Sequence, residues 1–104
     1  MHRTRLDDAA IAKALAAHPA WHRDGEAIAR TLQFADFRAA FAFMTEVARR
    51  AEAMQHHPDW RNCYARVEVR LWTHDAGGIT ARDFELATAI DRLAGGAVDP
   101  ATAR

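Results

Sequence analysis

The sequence predicts an α+β fold: an antiparallel four-stranded sheet with helices packed on one face, in the order α-β-β-α-β-β-α. Three observations lead there. Apolar residues recur at three- and four-residue steps through Phe37, Phe41, Met44, Ala48 and Ala51, the period of a helix lying on a core. Val67, Val69 and Leu71 alternate with Arg66, Glu68 and Arg70, the two-residue period of a strand with one apolar and one wet face. The turn pairs Asp24-Gly25 and Gly77-Gly78 punctuate the stretches between helical patterns. With 104 residues and no internal repeat, low-complexity segment or linker, residues 1–104 read as one domain.

The elements follow in order. Thr4 and Asp7 can satisfy the first N–H groups of a helix that runs to about Ala17. It stops at His18, because a residue before proline is pushed out of helical geometry. Residues 21–34 read as a hairpin: a strand over 21–23, a turn at Asp24-Gly25 and a strand over 27–34. Ile28, Leu32 and Phe34 share a face of the second strand, interrupted by Arg30. Asp36 caps the long second helix, which ends near His56-His57, since Pro58 disfavours helical geometry at the residue before it. Residues 60–64 make a short strand and 66–73 a longer one. Thr80 with Asp83 forms a capping box for a third helix marked by Leu86, Ile90 and Leu93, and the tail from Gly95 is expected to fray. The second face of the sheet, carrying Arg66 and Glu68, is either solvated or set against another subunit.

Composition narrows the function classes. Lys+Arg and Asp+Glu balance at 14 each, so no net field draws the chain to nucleic acid or an anionic membrane. Direct nucleic-acid binding is therefore not expected. No stretch approaches the roughly 18 apolar residues of a membrane span. The single Cys63 forms no internal disulfide and the first residues lack the apolar run of a secretory signal, so a cytoplasmic location is expected.

Chemistry concentrates at His56, His57 and His74, around the end of the second helix and the strand beyond it. Imidazole has a reference pKa of about 6.5 and serves as proton donor or acceptor near neutrality. Glu52, four residues before His56, can share its helix face and orient its ring. Each residue also has a plainer reading. A histidine doublet suits the negative end of a helix dipole, His74 suits a turn, Glu52 suits a solvated face and Asp83 suits a cap. Trp21, Trp60 and Tyr64 could border a flat ligand, but core packing is the default for Trp60 and Tyr64. His2, His18 and His22 read as surface residues. An adjacent pair with a distant third histidine matches no standard zinc spacing, so no metal is expected.

The run Glu52-Ala53-Met54-Gln55-His56-His57-Pro58, followed by Tyr64, His74 and Asp83, resembles the signature of pterin-4a-carbinolamine dehydratases. Asp59-Trp60 and the segment Thr73-His74-Asp75-Ala76-Gly77-Gly78-Ile79-Thr80 extend the likeness, which covers roughly residues 21–91. Gln55 departs from the pattern, standing where members often carry an acidic residue or Asn. The resemblance implies a hydro-lyase of tetrahydrobiopterin recycling that converts 4a-hydroxytetrahydrobiopterin to quinonoid dihydropterin and water. It implies no metal or organic cofactor, the pterin being the substrate. His56, His57 and His74 carry over as catalytic histidines and Glu52 and Asp83 as supporting carboxylates. Gln55, His56, His57, Thr73, His74 and Asp75 carry over as pterin contacts. Of the histidines, His56 and His74 are expected to supply acid and base, and His57 to bind and orient. A homodimer or homotetramer and a functional link to an aromatic amino acid hydroxylase are also implied. The competing reading is a non-catalytic dimerisation or assembly partner on the same fold.

Overall fold

Each helix starts where a side-chain oxygen meets an early N–H group. Asp7 accepts from the Ala10 N–H, Asp36 from the Ala39 N–H and Thr80 from the Arg82 N–H. In the computed structural model, which describes residues 4–95 and Ala97, these caps open α1 (Asp8–Ala16), α2 (Phe37–Met54) and α3 (Ala81–Ala94). Thr4 does not contribute to the first cap as expected. The Leu6 N–H donates to the Ile79 carbonyl at 2.8 Å, which holds the chain before Asp7 against the entry to α3 instead of in a helix.

Four strands, β1 (His22–Asp24), β2 (Ala27–Gln33), β3 (Asp59–Cys63) and β4 (Arg66–Leu71), form one antiparallel sheet in the order β1-β2-β4-β3. The first turn lies at Gly25-Glu26, one residue later than expected. Gly25 alone of the pair takes positive φ, +64°, as a glycine does at the first central position of a two-residue hairpin loop. Ile28 sits opposite Leu71, Arg30 opposite Val69 and Leu32 opposite Val67, so the apolar positions of the two central strands share a face. β4 ends at Leu71, short of the expected Thr73. Thr73 instead bridges to Gly78, closing a loop around a 3₁₀ turn at His74–Ala76.

Ile28, Leu32, Val67, Val69 and Leu71 of the sheet meet Ala40, Phe43 and Val47 of α2, Leu86 and Ile90 of α3, and Ile11 of α1 in one core. Complete burial of such side chains is worth about 1.5–3 kcal/mol each. The period expected for α2 is present, but its phase is different. The buried face carries Ala40, Phe43, Val47 and Ala51, whereas Phe37 and Phe41 are 47% and 56% exposed. Small side chains at 40 and 51 let the helix approach its neighbours, a position large phenylalanines would block.

Arg30 occupies the apolar face of β2 because α3 supplies its partner: Asp91 accepts from the Arg30 guanidinium at 2.5 Å and from the Trp21 indole N–H at 2.8 Å. Trp21 is accordingly buried and Trp60 packs partly buried against the core, whereas Tyr64 lies 79% exposed in the β3–β4 turn, not in the core as expected. His18 is also no free surface residue. Its Nδ1–H donates to the Ala14 carbonyl and its Nε2 bonds the Thr88 hydroxyl, each at 2.9 Å. His22 is exposed. His2 and nearly all of the tail expected to fray lie outside the described residues. No described helix is long and apolar enough to cross a membrane. Asp91→Ala removes the acceptor shared by Trp21 and Arg30 and should lower unfolding free energy by about 2 kcal/mol. Urea denaturation checks this, and a change below about 0.5 kcal/mol would show that the pair adds nothing to stability.

Candidate active site

Helix α2 ends by a backbone reversal. Gln55 takes a left-handed conformation with φ +53°, and the His56 N–H returns to the Ala51 carbonyl at 3.0 Å while the Gln55 N–H reaches the Glu52 carbonyl at 3.1 Å. This pair of bonds satisfies the last carbonyls of the helix, in the manner usually served by glycine. A non-glycine residue there costs about 1–3 kcal/mol in backbone strain. The Gln55 side chain helps hold the reversal, its amide donating to the Glu52 carbonyl at 2.8 Å. Beyond the reversal the two histidines part company. His56 turns inward and is 7% exposed, while the His57 side chain is 59% exposed.

Inside, the His56 Nε2–H donates to Asp83 Oδ1 at 2.6 Å. Asp83 is fully buried, and its second oxygen accepts from the Thr80 N–H at 2.9 Å and the Thr73 hydroxyl at 3.0 Å. The Thr73 and Thr80 hydroxyls are 2.7 Å apart. Because Thr73 gives its only proton to Asp83, Thr80 must donate to Thr73 while accepting from the Arg82 N–H. Each proton these side chains donate thereby has an acceptor. Asp83 has both readings weighed for it: it completes the cap of α3, and it fixes which nitrogen of His56 carries the proton.

Glu52 does not orient His56. Leaving the helix at Gln55 breaks the four-residue spacing, and the Glu52 carboxylate instead lies 3.6 Å from His57 Nε2 and 3.4 Å from the Gln55 amide. Both Glu52 and His57 are exposed, so this contact is worth little to stability.

His74 opens the 3₁₀ turn after β4, and its ring lies on the indole of Trp72 with centroids 3.9 Å apart and planes 24° apart. A cleft of about 260 Å³ is lined by Gln55, His56, His57, Thr73, His74 and Asp75, together with Trp72 and Arg82. All six expected contact residues thus converge on one cleft, with Asp83 behind His56 and Glu52 beside His57. Trp72 and Arg82 were missed. Arg82 left a signal, since a cation in the first turn of a helix opposes the macrodipole and calls for a tertiary reason. The reason is a hydrogen bond to the Met54 carbonyl at the end of α2, where a cation is favoured. Among the described residues, Arg82 Nε and Trp72 Nε1 have no acceptor. Trp72 left only its place beside Thr73-His74.

The site thus offers three imidazoles, one fixed by a buried carboxylate and two exposed, which suits proton transfer to and from a small bound molecule. Among the described residues, no group of three His, Cys, Asp or Glu is arranged to hold a metal ion.

Comparison with known proteins identifies relatives over most of the chain. Residues 4–93 match the family model described as pterin 4 alpha carbinolamine dehydratase. A relative from Rhodospirillum rubrum, provisionally named pterin-4-alpha-carbinolamine dehydratase, is 52% identical over 93 residues, 88% of this chain and 97% of its own length. A similarly named protein from Solibacter usitatus is 50% identical, with 89% and 98% covered. The crystal structure of a transcriptional coactivator/pterin dehydratase from Brucella melitensis superposes with a TM-score of 0.86 at 40% identity, covering 88% of this chain and all of that one. A family match spanning nearly every described residue, with relatives that agree at half of all aligned positions, means that this chain belongs to the pterin-4a-carbinolamine dehydratase family.

Proposed function

We propose that the chain dehydrates 4a-hydroxytetrahydrobiopterin, or a close pterin relative, to the quinonoid dihydropterin and water by histidine acid–base catalysis. The observation that carries this reading is the buried His56–Asp83 pair set in a cleft that His57 and His74 also line.

A carbinolamine bears a hydroxyl and a nitrogen on one carbon. Dehydration breaks the C4a–O bond, makes the adjacent C–N bond double and removes the proton from that nitrogen. Hydroxide is a poor leaving group, so one group must protonate the departing oxygen while another takes the nitrogen proton. The two transfers cancel, and no oxidant, metal or organic cofactor is required by the balance. His56 is assigned the base: with Nε2–H committed to Asp83, its other nitrogen, Nδ1, holds the lone pair, and the carboxylate supports the imidazolium that forms. His74 is assigned the acid, and exposed His57 binds and orients the pterin with Gln55, Thr73 and Asp75. Glu52 supports His57, and Asp83 supports His56.

A hydroxylase of aromatic amino acids would supply this substrate, and a reducing cytoplasm suits the exposed, unpaired Cys63. Self-association as a homodimer or homotetramer is part of the same proposal, because Phe37 and Phe41 expose a pair of rings 5.7 Å apart on the outer side of α2. A second reading, a non-catalytic dimerisation or assembly partner, draws on the coactivator role named for the Brucella melitensis neighbour.

The first experiment follows the ultraviolet absorbance of freshly generated 4a-hydroxytetrahydropterin. Wild type should accelerate its decay, and His56→Ala or His74→Ala should lower the enzymatic rate by about 10²- to 10⁴-fold, with His57→Ala acting more on KM. The rate should survive exhaustive chelation; inactivation that zinc reverses would require a metal. Folded wild type that leaves the spontaneous rate unchanged would leave the assembly-partner reading in possession. Asp83→Asn should reduce kcat by about 10²-fold or more by misplacing the His56 proton, and destabilise the fold by about 1–3 kcal/mol. Wild-type turnover by a stably folded Asp83→Asn variant would remove the carboxylate from the mechanism. Sedimentation velocity should give a dimer or tetramer at micromolar concentration, and a monomer would exclude self-association.

A further inference from the structure

We infer that Trp72 is a positioning residue for His74, fixing the plane of the imidazole that the dehydratase reading assigns as the acid; the inference rests on that reading. The three histidines are held very unequally. His56 is locked by the 2.6 Å hydrogen bond to Asp83, and His57 has Glu52 at 3.6 Å. His74 is exposed on a three-residue turn, and among the described residues no hydrogen bond or ion pair engages its ring. What its ring does touch is the Trp72 indole, face to face at 3.9 Å and 24°. An imidazole on a short exposed turn would otherwise sample several rotamers. Stacking restricts it to one plane, and proton transfer depends steeply on such alignment.

Trp72 is itself well anchored for this purpose. It lies between Leu71, 0% exposed, and Thr73, 4% exposed, whose hydroxyl donates to Asp83. Among the described residues its Nε1 has no acceptor. The face of the ring is what His74 meets. Through Thr73 the chain therefore joins the two reacting histidines: Asp83 fixes His56 on one side, and Trp72 fixes His74 on the other.

The test compares Trp72→Leu and Trp72→Phe in the wild-type and His74→Ala backgrounds. Trp72→Leu should lower kcat about tenfold and leave KM within about twofold, while Trp72→Phe, which keeps an aromatic face, should retain most of the rate. In the His74→Ala background Trp72→Leu should have no further effect. Independently of turnover, the His74 ring proton, identified by its loss in His74→Ala, should resonate upfield in wild type through the indole ring current. That displacement should vanish in Trp72→Leu and persist in part in Trp72→Phe. A rise in KM at constant kcat would make Trp72 a pterin platform and overturn the inference. So would effects that multiply independently with His74→Ala, or an undisplaced His74 resonance in wild type. A silent His74→Ala beside an active wild type would remove His74, and with it this role of Trp72, while leaving the dehydratase reading intact. A folded wild type at the spontaneous rate would instead end the dehydratase reading itself.

Discussion

A fully buried carboxylate needs several donors, because an unpaired charge in the interior costs several kcal/mol. Asp83 meets that constraint with one donor from each of three places: His56 beyond the end of α2, Thr73 beyond the end of β4, and the Thr80 N–H at the start of α3. The carboxylate gathers these three segments by accepting one hydrogen bond from each. The cleft is the outer side of this gathering, so the atoms that close the fold are also the atoms that arrange the site. Stability and geometry are consequently hard to separate at Asp83, which is why the rate and the unfolding free energy must both be read for any change there.

The exit of α2 adds a second constraint. Had the chain left the helix at a glycine, the reversal would have been unstrained. Gln55 takes the left-handed position instead and uses its side-chain amide to hold the Glu52 carbonyl. The reversal separates two adjacent histidines into opposite environments, one ring buried against a carboxylate and one in solvent. Local strain of this kind persists where the surroundings determine it fully, and here the His56–Asp83 bond, the Arg82 bond to Met54 and the helix-ending hydrogen bonds all do so.

Much of this was legible in the residues. The alternation in 66–71 gave the central strand with its buried face, and Thr80 with Asp83 gave the start of α3, because both are local patterns with a fixed period or spacing. The phase of α2 was not legible. Phe37 and Phe41 suggest a core face by size, whereas the packing selects the alanines that permit close approach, a property of the neighbouring elements and not of the helix. Glu52 was assigned to His56 by helical spacing, which fails once the backbone reverses at Gln55. The two missed residues of the cleft have a common cause. Trp72 falls near the end of a stretch read as a strand and Arg82 in the first turn of a helix, and neither place points to the cleft until the topology brings the end of β4 and the start of α3 beside the end of α2. The resemblance carried the histidines, and the structure supplied what surrounds them.

The precision of the site depends finally on α3 having a single register. That helix makes polar contacts at successive levels, among them Asp83 with His56 and Thr73, Thr88 with His18, and Asp91 with Trp21 and Arg30. Each reaches a different element, namely the α2 exit and the end of β4, the end of α1, and the β1–β2 hairpin with the residue before it. Apolar contacts alone tolerate small sliding, since one leucine or alanine contact substitutes readily for another. Hydrogen bonds do not, because a shift of one residue would break all three at once and leave buried donors and a buried carboxylate unpaired. The polar contacts therefore fix where α3 sits along the sheet, and the 2.6 Å separation of His56 and Asp83 follows from a helix held at both ends. Arg30 on the apolar face of β2 is thus part of the same device: a charge that seems misplaced in the strand sets the position of the helix that carries the site.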